Sequence, residues 1–159
     1  MTISEKAQSA LAQLGSFSGL ERTLDVTEAD QRLRCDLTAV DTLGCAFTRF
    51  ELRSGKLATA TIDELKKVSE ALAGRLTYLL EPIKPIEVDA DQCVVQLRST
   101  PPQREPELTT YYELLVRRGG ELSLCRWRKT RTSERQLVAA QVTREVFSRL
   151  VADFAAAAG

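Results

Sequence analysis

Apolar positions along this chain fall into two periods, and the longest helical one lies near its middle. From Thr61 to Leu80, Ile62, Leu65, Val68, Leu72, Leu76 and Leu79 recur at steps of three or four. That spacing is one stripe along a helix, which must be buried against something. Thr61 followed by Glu64 is a capping box, in which each side chain satisfies a backbone donor left free at the helix start. Pro82 and Pro85 stop the element. A second capping box, Thr2 with Glu5, opens a helix over residues 3–14, and Gly15 ends it. Thr143 caps a last helix with Val146, Phe147, Leu150, Val151 and Phe154 on its buried face.

Between the helices the period is two. Leu24 and Val26 alternate with polar residues, and Leu33, Cys35, Leu37 and Ala39 do so nearly perfectly, as in a strand with one wet face. Cys45 to Arg53 changes phase between Phe47 and Phe50, which predicts a bulge near Thr48. Lys56 to Ala60 reads as a short edge strand, and 86–88, 93–98 and 135–141 as further strands. STPPQREPE (99–107) reads as loop. The fold class is therefore α+β: an antiparallel sheet of about seven to eight strands with three helices on it, in the order α-βββ(β)-α-ββββ(β)-α. The length of 159 residues fits one domain. LDVTEADQ (24–31) and IEVDADQ (86–92) echo one another, as two copies of a unit over 2–60 and 61–142 would; a single match this short also arises by chance.

YYELLVRR, Gly119-Gly120 and ELSLCRWRK form the clearest local signal, a hairpin. A two-residue glycine turn sets Arg118 opposite Glu121. Tyr112, Leu114, Cys125 and Trp127 then share an inward face. Tyr111, Glu113, Leu115, Leu122, Leu124, Arg126 and Arg128 share the outward one. Three leucines are too many for a wet surface, so a partner or second copy is expected to cover part of it. Tyr111, Leu115, Arg117, Leu122, Leu124, Arg126 and Arg128 are accordingly the expected partner-binding patch. Aromatic residues and arginine in a mixed surface suit interfaces.

Composition changes this picture little. Hydrophobic residues are 43% and charged ones 28%, ordinary for a globular chain, and the net charge is +0. The charge is uneven, however. Residues 117–149 hold nine Lys/Arg against three Glu, an excess of +6, and the remainder carries −6. RWRKTRTSER (126–135) surrounds Trp127 with five cations, the mixture a single-strand nucleic-acid surface uses. The two-residue turn, though, sends Trp127 inward and its arginines outward, so nucleic acid is not the expected partner.

There is no His, which removes the commonest general acid/base and metal ligand. Cys35, Cys45, Cys93 and Cys125 are far apart in strand-like runs and read as buried free thiols. No secretory leader or membrane-spanning run is visible, and a cytoplasmic location is expected. No phosphate loop or nucleophile elbow occurs. Asp89, Asp91, Asp25, Glu28 and Asp30 lack the glycine and distal Glu of a calcium loop. No metal or cofactor is expected.

The order helix, three strands, helix, strands, helix is similar to that of the small dimeric chaperones of bacterial secretion systems, which implies a binding role and a homodimer. Those chaperones are typically acidic, and this chain is neutral. The expected function is a non-enzymatic protein-binding or scaffold domain. The alternative is an enzyme or small-ligand protein with a pocket lined by Arg and carboxylates.

Overall fold

Three threonines start three helices. In the computed structural model, which describes all 159 residues, Thr2 and Glu5 close a reciprocal box at 3.1 and 2.8 Å ahead of α1 (Ile3–Leu14). Thr61 and Glu64 do the same at 3.2 and 3.5 Å ahead of α2 (Ile62–Arg75). The Thr143 hydroxyl accepts from the Val146 amide ahead of α3 (Arg144–Ala158).

The helix α2 ends four residues before the last member of its apolar stripe, Leu79. Pro82 keeps Glu81 out of the helical region, so the chain must leave the helix before it. It does so at Leu76, whose ψ is 58°, through a turn that still buries Leu76 and Leu79.

Ten strands follow the period-two runs: β1 (Phe17–Glu28), β2 (Gln31–Val40), β3 (Gly44–Ser54), β4 (Ile83–Asp89), β5 (Val94–Ser99), β6 (Gln103–Glu105), β7 (Leu108–Arg117), β8 (Glu121–Thr130), β9 (Gln136–Val138) and β10 (Ala140–Thr143). They form one antiparallel sheet in the order β1-β2-β3-β8-β7-β5-β4, with β10 on β3, β6 on β7 and β9 on β8. The fold is α+β. Two meanders, one after α1 and one after α2, meet through their last long strands at β3 and β8.

Thr48 is the extra residue of a bulge, because Asp36 pairs with Arg49 and Leu37 already pairs with Phe47. Three local expectations are corrected. Residues 56–60 are no edge strand. Gly55–Leu57 is a 3₁₀ turn, drawn inward by bonds from the Ser54 amide to the Gly120 carbonyl and from the Gly55 amide to the Asp30 carbonyl. The proline-rich loop contains β6. The run 135–141 splits at Ala139, with β9 joining β8 and β10 joining β3.

The hairpin register is the largest correction. Arg117, not Arg118, lies opposite Glu121, so the loop holds Arg118, Gly119 and Gly120. The Gly120 amide bonds the Arg117 carbonyl, and Gly119 and Gly120 both take positive φ, 85° and 80°. A Cβ on Gly120 would stand 2.4 Å from the Ser54 carbonyl oxygen, so this close approach requires glycine. Slipping a strand by one residue exchanges its faces. Here Tyr112, Leu114 and Val116 share a face with Leu122, Leu124 and Arg126, while Tyr111, Glu113 and Leu115 share the other with Ser123, Cys125 and Trp127.

All three helices pack on the first of these faces. The α1 helix lies on β1 and β2, α3 on β3 and β10, and α2 on β4, β5 and β7. One cluster of 32 buried residues fills the layer between helices and sheet. Leu72 of α2 is fully buried in it. Leu72→Ala is expected to cost about 2–5 kcal/mol, read from the urea midpoint.

Cys35, Cys45 and Cys93 are buried, Cys125 is half-buried, and all four are free thiols. Burial pushes the Cys35 thiol well up and the Cys45 thiol up to about 12 from 9.0. A buried neutral thiol is a poor nucleophile, so alkylation of the native protein at pH 8 should be slow at Cys35 and Cys45. The unfolded chain releases these protons near 9.0, and the folded one holds Cys45's until about 12. Stability should therefore fall as pH climbs through that window, which urea titrations at pH 7 and pH 10 would read.

Candidate functional site

The face of the sheet away from the helices has no layer of its own. On its β2–β3 side Arg32, Arg34, Arg49 and Arg53 are exposed. On its β5–β7–β8 side, side chains do the covering. Glu113 of β7 is 4% exposed and accepts three hydrogen bonds: Gln96 Nε2 at 2.8 Å, Arg135 Nη1 at 2.8 Å and the indole Nε1 of Trp127 at 3.2 Å. The alternation of β5, β7 and β8 brings Gln96, Glu113 and Trp127 to this face. Arg135 arrives from the link before β9 and lies 3.9 Å from the centre of the Trp127 ring. Burial works against the Arg135 charge, but the neighbouring Tyr111 phenol and the hydrogen-bonded Glu113 carboxylate hold its pKa above the usual value. Arg98 of β5 stacks over Tyr111 in the same way, at 4.7 Å.

These stacks form the floor of an open cleft of about 1320 Å³. Its charged lining is Arg98, Arg104, Lys129, Arg131 and Arg135 against the single acid Glu134. Of the five cations only Arg135 has a carboxylate within ion-pair distance, Glu113 at 2.8 Å. The Nε of Arg98 is buried and makes no hydrogen bond.

The structure divides the seven residues read as a patch from the sequence. Tyr111, Leu115 and Arg117 are on the uncovered face. Leu122 and Leu124 are fully buried core. Arg126 lies on their side of the sheet, over the Tyr112 ring at 4.5 Å. Arg128 shares that side but is exposed, and its guanidinium bonds Gln136 Oε1. Trp127, expected inward, lines the cleft. Arg98, Arg104 and Arg135 were missed because they come from three other stretches of chain, and Glu113, placed on the hairpin's outward face, was not counted in the patch. The one-residue register set by the apolar pattern of both strands would have placed Glu113 and Trp127 together.

A second polar site lies on the helix side. Arg126 Nη2 reaches Glu81 Oε2 at 2.9 Å, with the two side chains 14% and 12% exposed. The same nitrogen bonds Gln103 Oε1 at 3.2 Å and Thr110 Oγ1 at 3.1 Å. Arg126 Nη1 and Glu81 Oε1 are buried without a hydrogen-bond partner. The pair borders a pocket of about 730 Å³ with apolar walls that include Leu79, Pro82, Pro102 and Val146. Burial raises the Tyr112 phenol pKa beside it.

No group of three or more Cys, Asp or Glu side chains is placed to hold a metal ion. No helix is long and apolar enough to cross a membrane. No family model, curated protein or solved structure matches the chain.

Proposed function

We propose that this is a non-enzymatic protein-binding domain of the cytoplasm, and that the uncovered face of its sheet is the surface a protein partner docks on. One observation carries the reading: four cations, Arg98, Arg104, Lys129 and Arg131, gather around an aromatic floor, none of them within ion-pair distance of a carboxylate. A domain that only had to fold would lose nothing by pairing or dispersing them, and like charges held together raise its energy. The arginine-capped rings of Tyr111 and Trp127 have the chemistry of interface anchors. Four free thiols suit a reducing compartment. The reading stands on this surface and not on the order of the elements.

The test is affinity capture from the source cell with the native chain and with Arg104→Glu/Arg131→Glu, beside a solution mass measurement of each. Both residues are exposed, so the doubly reversed chain should fold normally. A partner, or a second copy, held by the native chain and released by the reversed one is the expected result. Equal capture by both chains would overturn the reading, as would a monomer at every concentration with nothing recovered.

A second reading, a small-ligand site, rests on the Arg126–Glu81 pair, whose two unpartnered atoms border an apolar-walled pocket. Its test is a fragment screen by thermal shift, in which genuine hits disappear from an Arg126→Met/Glu81→Leu chain.

A further inference from the structure

We infer that the segment received by the Arg98–Arg131 cleft is a run of Asp and Glu residues in a polypeptide; this rests on the reading of the uncovered face as the working surface. Four of the five cations are arginines, whose planar forks match carboxylates two bonds at a time. Arg98 adds a buried Nε with no partner. Around the arginines the lining includes the hydroxyls of Thr109 and Thr132, which can donate to carboxylate oxygens.

Single-stranded nucleic acid is the rival polyanion, and two observations weigh against it. Binding of that kind stacks bases on open aromatic faces. Here Tyr111 is 7% exposed beneath Arg98, and Trp127 lies beneath Arg135. Both rings are already occupied by guanidinium groups. The charge balance points the same way. The chain is neutral overall, so the positive cleft is offset by net negative charge on the rest of the molecule. A long polyanion draws on a net positive field that this neutral chain does not supply, whereas a short acidic segment needs only the cleft's own cations.

Trp127 is the only tryptophan, so its emission reports on the cleft floor alone. The experiment titrates the full chain with labelled octaglutamate and, separately, with labelled octathymidylate, following Trp127 emission and probe anisotropy. Saturable octaglutamate binding that moves Trp127 emission, weakens with salt and drops about tenfold or more in Arg104→Glu/Arg131→Glu is expected. Tighter binding of octathymidylate through the same two arginines would overturn the acidic-segment assignment while leaving the working face in place. Binding of neither probe, or binding that the double reversal leaves unchanged, would remove both.

Discussion

Phe50→Ala is expected to destabilise the protein by about 3–5 kcal/mol. Phe50 sits at the middle of β3 with no exposed surface. Its backbone lies between Cys35 of β2 and Leu124 of β8, at the seam between the two meanders. Its ring meets Phe147 and Phe154 of α3 edge-on, at 5.9 and 4.9 Å, and Phe47 at 5.6 Å. Truncation removes the ring's transfer energy and leaves a cavity. Sheet pairing holds the floor of that cavity and α3 its roof, so it cannot easily collapse. For a chain of this length the loss corresponds to a fall in Tm of roughly 6–20 °C. Leu137→Ala is the control, because Leu137 is 41% exposed and should change stability by no more than about 0.5 kcal/mol. A loss under about 1 kcal/mol at Phe50 would mean that the seam is not where the two meanders are held.

Much of this fold can be read from local patterns, for reasons that name where such reading stops. The three threonine caps and the period-two runs are local signals, and the helices begin where those signals place them. The phase change at Thr48 is local too, and the bulge is there. The ends of elements depend on neighbours. The α2 helix stops at Arg75, short of the limit Pro82 sets, with Leu76 and Leu79 buried from the turn that follows, and residues 55–57 curl because Ser54 bonds the hairpin tip.

The hairpin register shows how much one residue decides. Gly119-Gly120 alone allows a two-residue or a three-residue loop. The apolar pattern of the flanking strands distinguishes them: only the longer loop sets Leu114 against Leu124 and Val116 against Leu122. The shorter one leaves three leucines, Leu115, Leu122 and Leu124, on the outward face and buries Trp127. The cleft changes with it, because Trp127 joins Tyr111 and Glu113 only in the longer register. The remaining parts of the cleft come from β5, β6 and the link before β9. Nothing short of the sheet order brings those segments together.

The other large effect is expected at Glu81. Glu81→Ala leaves the Arg126 charge 14% exposed with no carboxylate, and removing one member of such a pair costs about 3–5 kcal/mol. Gln103, Thr110 and the Tyr112 ring still contact the guanidinium, but none of them carries the opposite charge. Glu81→Gln should cost less, since the amide oxygen can still accept from Nη2. The informative variant is the double replacement Glu81→Leu/Arg126→Met. Taking both charges out of a site this dry is often neutral, because the cost of desolvating the pair disappears with its attraction. Urea unfolding of the two single variants and the double one closes a cycle. A double variant near native stability, beside two costly singles, would show that the pair contributes little net stability at that place. Its two unpartnered atoms on an apolar-walled pocket would then favour the small-ligand reading. A double variant about as unstable as either single would instead make the Glu81–Arg126 contact a structural tie between the turn after α2 and β8, and the small-ligand reading would lose its support.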